Sequence, residues 1–285
     1  MRFRQAGRIM SFRPSRSLVT GASSGIGEAF AHALAARGSD LVLVARRKKR
    51  LDRLASQLTD TYSIVCETVE FDLSVSRPGA GLRERVRGDI DLLVNNAGFA
   101  AQGPFLDGDA EQFAQIIAVD VTAMVDLCHA FLTPMTQRRR GAVINVTSTT
   151  AFQPIPSLAV YSAAKAFVHS FSQSLWFEAK QQNVKVITLA PGPTRTEFFD
   201  VIGDNAAIAG SMQSPEQVVA TAMRALNRRS PPPYVVSGRA NSLTARIVAL
   251  IPRRVLIPTV ARMLHTMPPT PEPSANSAIV QTRLP

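Results

Sequence analysis

Apolar segments of strand length alternate with amphipathic segments of helix length along most of this chain of 285 residues. The segment Asp40–Ala45 is apolar after its first residue, as expected for a strand that is buried on both faces. The other strand-like segments are 17–20, 63–71, 90–94, Ala142–Val146, 184–189 and 234–237. Helix-like segments lie at about 25–36, 48–58, 110–137 and 157–180, and a capping box at Ser214 and Gln217 predicts a further helix start. The alternation predicts an α/β fold with a single doubly wound parallel sheet and helices on both faces.

A glycine-rich turn, Thr-Gly-Ala-Ser-Ser-Gly-Ile-Gly at 20–27, joins the first predicted strand to the first predicted helix. Glycine allows a tight turn and lets the backbone approach a pyrophosphate closely. The free amides and the partial positive charge at the start of the helix favour an anion there. Because the turn follows a strand and opens a helix, it predicts a Rossmann-type dinucleotide site rather than a tight turn without a ligand.

The end of the second predicted strand bears on the choice between NAD and NADP. An acidic residue about 20 positions after the turn binds the ribose 2′-hydroxyl in NAD enzymes, whereas an arginine accommodates the 2′-phosphate of NADP. No acid lies at this strand end, and Arg46 follows Gly27 by 19 residues. We therefore expect NADP(H) as cofactor, with Arg46 bound to its 2′-phosphate. Lys49 and Arg50 are interpreted as a solvated helix start, and the role of Arg47 is left open.

Tyr161 and Lys165 are four residues apart on a predicted helix and therefore share one face. A free tyrosine has a pKa near about 10, and a nearby ammonium group lowers that pKa. Tyr161 is then suited to give a proton to a carbonyl oxygen or to take one from an alcohol. Ser148 follows the predicted strand Ala142–Val146 and is placed to hydrogen-bond the same oxygen. The pair alone is common by chance, but together with Ser148 and the dinucleotide turn it favours an oxidoreductase that transfers a hydride.

These motifs together resemble the short-chain dehydrogenase/reductase family, in its bacterial NADP-dependent branch. The matching positions are 20–27, Asp72, 95–98, Ser148, 161–165 and 191–196, and they span about residues 17–200. The resemblance implies that Asp72 holds the adenine amino group and that residues 95–98 line the adenosine ribose and stabilise the sheet. It also implies that Lys165 binds the nicotinamide ribose, that Thr196 helps to hold the carboxamide, and that homodimers or homotetramers pack through the helices at 110–137 and 157–180.

The residues expected to bind the cofactor form one set, taken from the turn, the strand ends and the catalytic helix. They are Gly21, Ser23, Ser24, Gly25, Ile26, Gly27, Arg46, Asp72, Asn95, Ala97, Gly98, Tyr161, Lys165, Pro191, Gly192, Thr194 and Thr196. The expected catalytic residues are Ser148, Tyr161, Lys165 and Asp120.

Asp120 departs from the family pattern, which usually has an asparagine as the fourth catalytic member at this position. The backbone carbonyl that serves the family's proton relay is retained. An ionised carboxylate near Lys165 would, however, draw off charge that should lower the pKa of Tyr161. We therefore expect activity to persist with a raised pH optimum. The alternative is an NADP-binding sensor or scaffold with impaired turnover, against which the intact Ser148, Tyr161 and Lys165 argue.

Positive charge is concentrated at the two ends of the chain. The formal net charge is +11, of which residues 1–16 and 224–285 together contribute +13 and residues 17–223 contribute −2. Residues 17–223 are nearly neutral and contain no motif that reads the bases in a DNA groove, which argues against nucleic-acid binding. Cys66 and Cys128 lack metal or redox spacing and are expected to be buried thiols of a cytoplasmic protein. The four histidines show no metal spacing either, so no metal site is expected.

The segments expected to line the substrate site are rich in apolar residues. These residues are Phe99, Phe105, Phe152, Ile155, Pro156, Phe198 and Phe199. Apart from Arg195 they are accompanied by no lysine or arginine, which favours an apolar small-molecule substrate without a free phosphate or carboxylate. The alternative for each aromatic residue is that it only packs a lid over the site.

The chain is expected to divide into four parts. Residues 1–16 form a disordered basic arm, 17–238 the Rossmann-fold catalytic domain with a lid at about 195–214, 239–267 an amphipathic extension, and 268–285 a disordered proline-rich tail. The extension suits either peripheral contact with an anionic membrane surface or, as the favoured interpretation, a pocket cover or oligomer contact. No apolar run reaches the about 18–20 residues of a membrane span.

Overall fold

The computed structural model describes residues 12–198 and 211–265. These residues form a sheet of seven strands in the order β3-β2-β1-β4-β5-β6-β7, with every neighbouring pair parallel. The strands are β1 (Arg16–Thr20), β2 (Asp40–Ala45), β3 (Cys66–Glu70), β4 (Leu92–Asn95), β5 (Ala142–Val146), β6 (Lys185–Ala190) and β7 (Tyr234–Val236). The predicted doubly wound parallel sheet is therefore confirmed.

Nine α-helices accompany this sheet in the described ranges. They are α1 (Gly25–Ala35), α2 (Lys48–Tyr62), α3 (Pro78–Arg85), α4 (Ala110–Ile117), α5 (Ala123–Gln137), α6 (Ala159–Gln181), α7 (Pro215–Leu226), α8 (Arg239–Leu250) and α9 (Arg253–His265). The capping box predicted from Ser214 and Gln217 is present at the start of α7. The short helix α3 was not predicted, because its two glycines and few apolar residues leave no clear helical pattern.

Both faces of the sheet are covered, which explains why the central strands are apolar at successive positions. Leu41 and Leu43 of β2 pack into the core that contains residues of α1, α2 and α7. Val42 and Val44 face the other core, with residues of α3, α5 and α6. Successive side chains of a strand point to opposite faces, so a strand that is buried on both faces needs apolar residues at odd and even positions alike. The uncovered parts of the sheet are its strand ends, where the loops lie.

The boundary of the N-terminal arm lies earlier than predicted. Arg16 is the first residue of β1. Before it, the amide of Phe12 donates to Asn227 Oδ1 at 3.1 Å, and the amide of Ser15 donates to Asp91 Oδ2 at 2.9 Å. These long-range contacts tie residues 12–16 to the folded body. The rest of the arm, most of the predicted lid and the predicted proline-rich tail lie outside the described residues.

One continuous helical stretch, Ala110–Gln137, is long and apolar enough to span a membrane by length and composition. The sequence expectation concerned unbroken apolar runs, and Asp120 and Asp126 interrupt this stretch; its mean hydropathy is nevertheless high enough to meet the test. Met124, Leu127 and Phe131 on this stretch are buried in the core beneath the sheet. Core helices of folded domains pass the same test, so the finding alone assigns no membrane role.

Candidate active site

The candidate site lies at the carboxyl ends of the strands, where β1 pairs with both β2 and β4. The chain leaves β1 toward β2 and β3 and then returns to pair β4 on the other side, so the crossovers diverge here and leave a crevice. The loops after β1, β4, β5 and β6 meet at this edge. The glycine-rich turn and the predicted catalytic residues belong to these loops and to the helices that follow them.

A small hydrogen-bond network holds the glycine-rich turn against the loop after β4. Thr20 Oγ1 accepts the amides of Asn96 at 3.0 Å and Ala97 at 3.1 Å. The Nδ2 atom of Asn96 donates back to the carbonyl oxygens of Thr20 at 3.0 Å and Gly21 at 3.4 Å. Gly21 and Gly25 have positive φ angles of 66° and 59°, which disfavour residues with a side chain. These hydrogen bonds and the two positive φ angles fix the conformation of the turn, and its glycines leave the backbone accessible.

Gly27 fills a position in the turn where no side chain fits. A Cβ atom there would overlap the carbonyl oxygen of Gly21 and lie 2.7 Å from Asn96 Nδ2. We expect Gly27→Ala to cost about 1–3 kcal/mol of stability, as overpacking of a filled site does. Thermal unfolding and fluorescence titration with NADPH should show a lower Tm and a weaker affinity. Gly38→Ala, where an added Cβ meets no atom within 4 Å but φ is +77°, should lower Tm through backbone strain and leave the affinity unchanged; equal affinities for both variants would contradict the prediction.

Arg46 and Asp72 line the same cleft, which has a volume of about 580 Å³ and includes Phe71 and Val75 in its wall. Both side chains are exposed. Within residues 12–198 and 211–265, the Arg46 guanidinium has no hydrogen-bond or ion-pair partner. Asp72 Oδ1 accepts from the amide and hydroxyl of Ser74, at 2.9 and 2.8 Å. The cleft therefore offers a free cation and an anchored carboxylate at the positions expected for the adenosine half of a dinucleotide.

Arg47, whose role the sequence left open, reaches the glycine-rich turn directly. Its Nε and Nη2 atoms donate to the hydroxyls of Ser23 at 3.0 Å and Ser24 at 2.7 Å. Its Nη1 atom pairs with Glu197 at 2.7 Å. Arg47 therefore braces the turn to the segment after β6 and occupies the hydroxyls of both serines.

Four side chains predicted to be catalytic lie together beside this turn. Tyr161 and Lys165, both on α6, are buried, with Lys165 Nζ 5.4 Å from the centre of the Tyr161 ring. Asp120 is fully buried and pairs with Lys165 at 2.9 Å. Ser148 lies close enough to the Tyr161 hydroxyl to lower its pKa, and it accepts the amide of Thr150 at 3.1 Å. Residues from three separate segments thus converge on one hydroxyl and one ammonium group.

A π-helical segment, Ala118–Thr122, places the Asp120 side chain at Lys165. It interrupts the helix between α4 and α5, and such π-bulges often occur at functional sites. The other carboxylate oxygen of Asp120 accepts the amide of Phe99 at 3.1 Å. Gly98 has no side chain next to this pair, and a Cβ there would lie 2.7 Å from Asp120 Oδ1. The side chain of Asp120 itself therefore contacts Lys165.

Burial and neighbouring charges act in opposite directions on the buried groups. Burial raises the pKa of Tyr161, and the Asp120 carboxylate raises it further. Lys165 and Ser148 lower this pKa, but the net change is an increase. Burial alone would lower the pKa of Lys165, but Asp120 and Tyr161 outweigh burial and raise it. Burial raises the pKa of Asp120 in spite of Lys165 and the Phe99 amide. The Asp120 carboxylate thus favours a charged Lys165 and opposes an ionised Tyr161.

The remaining predicted cofactor residues divide into two groups. The Asn95 side chain is buried and donates to Asn145 Oδ1 at 2.9 Å, so it stabilises the sheet between β4 and β5. Thr196 lies against the turn, where a Cβ on Gly25 would come within 2.9 Å of its methyl group. Thr194 donates its hydroxyl proton to the Gly192 carbonyl oxygen at 2.9 Å. The segment after β6 therefore closes one side of the crevice.

Four residues that hold this site together were missed or left without a role by the sequence analysis. Thr20 and Asn96 lie inside the quoted motifs, and their polar side chains at strand ends were an available signal. Arg47 was considered without a role. Asn241 of α8 accepts the amide of Ser211 at 2.9 Å and donates to the Ser237 carbonyl oxygen at 3.0 Å. Nothing in its local sequence indicates that contact.

Known proteins resemble this chain along most of its length. Residues 16–207 match the short chain dehydrogenase family. An uncharacterised oxidoreductase of Staphylococcus saprophyticus is 33% identical over 217 residues, which make up 75% of this chain and 92% of that protein. Hydroxysteroid dehydrogenase-like protein 1 of Gallus gallus is 32% identical over 182 residues, 61% of this chain, and these cover only about half (54%) of that relative.

Solved structures agree with the sequence comparison. The short-chain dehydrogenase from Sphingobium yanoikuyae in complex with NADPH superposes with a TM-score of 0.72 at 31% sequence identity. The match covers 89% of this chain and 96% of that one. The family match at residues 16–207 includes the glycine-rich turn. The chain therefore belongs to the short-chain dehydrogenase/reductase family of oxidoreductases.

Proposed function

We propose that this protein transfers a hydride between NADP(H) and the carbonyl or alcohol carbon of an apolar small molecule. The observation that carries the proposal is the convergence of Ser148, Tyr161 and Lys165 beside a turn shaped for a pyrophosphate. The turn, the free Arg46 and the anchored Asp72 fit a dinucleotide with a 2′-phosphate. When bound, the nicotinamide supplies or accepts the hydride.

The chain's own residues handle the proton. Tyr161 gives its hydroxyl proton to the substrate oxygen during reduction and takes a proton from the alcohol during oxidation. Ser148, which lies next to the Tyr161 hydroxyl, holds the same substrate oxygen. Lys165 favours the ionised form of Tyr161 through its charge. Asp120 fixes the Lys165 ammonium group from the other side.

Arg46 is proposed to select NADP(H) over NAD(H). Arg46→Ala should weaken NADPH binding about tenfold or more and leave NADH binding nearly unchanged, because only NADPH carries the 2′-phosphate. Fluorescence titration of the purified protein with both dinucleotides measures this preference. Arg53→Ala, which removes an exposed arginine from the body of α2, is the matched control. Equal affinities of the unmodified protein for the two dinucleotides would overturn the role given to Arg46.

The surroundings of Tyr161 support an apolar substrate. Tyr161 packs in a cluster with Ala100 and Leu158, and Ile155 and Phe198 lie against it. The Phe198 ring centre is 5.5 Å from that of Tyr161. A substrate that reaches the hydroxyl must replace or extend these contacts, which favours apolar ketones and aldehydes or the matching alcohols.

Exposed apolar side chains support a homo-oligomer assembled through the two long helical stretches, Ala110–Gln137 and α6. On α6, Phe167 and Phe177 are exposed at 44% and 61%, and on α4, Ile117 is exposed at 48%. Because exposed aromatic and aliphatic side chains of this size favour burial, packing of these helices against a second copy would cover them. Sedimentation velocity tests the assembly.

The alternative function is NADP-dependent sensing with impaired turnover. Its support is the direct pairing of Asp120 with Lys165, which raises the pKa of both Lys165 and Tyr161. Tight NADPH binding without turnover of any carbonyl or alcohol substrate would favour it over the enzyme.

A further inference from the structure

The inner face of the C-terminal helix pair is occupied by the protein itself. Val248 of α8 and Leu256 of α9 are buried in one cluster, against the partly buried Phe152 and Ile155. Arg253 Nη2 donates to the Phe152 carbonyl oxygen at 3.1 Å. The pair therefore covers the segment that follows β5, as expected of a pocket cover. This contact explains the apolar residues on the inner side of the two helices. It does not explain those on the outer side.

The outer face of α8 is also apolar, although it faces away from the core. Leu243, Ile247 and Leu250 are spaced by four and three residues, so they lie on one side of the helix. They are exposed at 60%, 49% and 85%, and Val255 in the first turn of α9 is exposed at 59%. Single exposed apolar residues are ordinary, but a run of them on one face indicates an interaction surface. We refer to these four residues as the outer stripe.

Arginine residues flank the outer stripe, and the helix pair itself contributes no acid to balance them. Arg239 and Arg246 precede Leu243 and Leu250 by four residues each, and Arg254 adjoins Val255. All three arginines are exposed. Residues 239–265 contain five arginines and no aspartate or glutamate. The surface thus combines exposed apolar side chains with an unbalanced positive charge.

We propose that the outer stripe and its flanking arginines bind the surface of a membrane that contains anionic phospholipids. The apolar side chains would enter the boundary between headgroups and acyl chains, and the guanidinium groups would pair with lipid phosphates. A second copy of this chain is the competing occupant. A twofold contact between two such faces would oppose arginines to arginines without a compensating acid, so charge complementarity favours the lipid surface.

The test is vesicle co-sedimentation of the full chain. The protein should bind vesicles of phosphatidylcholine mixed with phosphatidylglycerol, and bind vesicles of phosphatidylcholine alone much more weakly. The triple variant Leu243→Ser, Ile247→Ser, Leu250→Ser should reduce binding to the mixed vesicles about tenfold or more, because it removes the inserted apolar surface. The double variant Arg239→Glu, Arg246→Glu should abolish the preference for the anionic lipid.

A double variant with the same change in charge, Arg37→Glu with Arg53→Glu, is the matched control and should bind like the unmodified protein. NADPH titration of every variant checks the fold and keeps this test separate from the proposed catalytic function. Undiminished vesicle binding by the triple variant would overturn the proposal, since another basic segment would then be responsible. Absence of binding by the unmodified protein would also overturn it, as would a triple variant that dissociates an oligomer in gel filtration.

Discussion

Replacement of Tyr161 by phenylalanine is expected to lower kcat about 10²- to 10⁴-fold, the range lost when a positioned general acid or base is removed. The substitution deletes only the hydroxyl. The ring keeps its place beside Phe198 and the Lys165 ammonium group, so the fold and the dinucleotide site should be retained. The measurement is steady-state oxidation of NADPH with apolar aldehydes and ketones, together with NADPH titration by fluorescence.

Tyr62→Phe provides the matched control for this variant. Tyr62 ends α2 and is exposed, so loss of its hydroxyl should leave kcat and NADPH affinity unchanged. A Tyr161→Phe enzyme that retains its rate would remove Tyr161 from the acid/base role. A variant that loses both rate and NADPH binding would show damage to the site instead of loss of a proton donor.

Replacement of Asp120 by asparagine should shift the pH–rate profile of alcohol oxidation to lower pH. Oxidation requires the ionised Tyr161, so the rate rises as the pH passes through the pKa of this group. The Asp120 carboxylate raises that pKa, and neutral asparagine removes this effect while Lys165 keeps its charge. Each unit by which the pKa of Tyr161 decreases raises the rate at low pH about tenfold. The pKa of Lys165 should fall as well, because Asp120 raises it, and this brings the alkaline limit of activity to lower pH.

The same substitution removes one partner of a buried ion pair, which commonly costs about 3–5 kcal/mol of stability. Tm must therefore be measured, and the pH profiles recorded well below it. Asp126→Asn is a suitable control, since Asp126 lies near the start of α5 and accepts the amide of Gly79 at 2.7 Å, in a contact with α3. Its pH profile should match that of the unmodified enzyme. An Asp120→Asn profile without displacement would show that the ion pair does not govern Tyr161.

Most of the fold was predictable because its signals are local. The strands β2 and β5 occur within the predicted bounds, since uninterrupted apolar runs between turns allow few other structures. The helix α3 was missed because it is short and stabilised by contacts with α5, including the bond from the Gly79 amide to Asp126. The arm was assigned too many residues because the anchors of its last part, at Asp91 and Asn227, are far away in the sequence.

The candidate active site likewise combines features that the sequence predicts with features that only the tertiary structure shows. The spacing of Tyr161 and Lys165 and the glycine-rich turn depend on one helix and one strand–helix junction, so periodicity and turn chemistry predict them. Asp120 was noticed only through a family resemblance, and its direct pair with Lys165 depends on how α4, α5 and α6 pack. The outer stripe on α8 also needed the structure, because the sequence shows two apolar faces without showing which one the protein covers.

The sequence by itself determined the parallel α/β fold, the dinucleotide turn and the family, because hydrophobic period, glycine placement and short motifs are properties of neighbouring residues. Only the tertiary structure decided the contacts between distant segments. Arg47 and Glu197, separated by 150 residues, meet because all strands are parallel, so the segments that follow β2 and β6 leave the sheet on the same side. Such contacts depend on the relative positions of whole elements, and no local pattern specifies those positions.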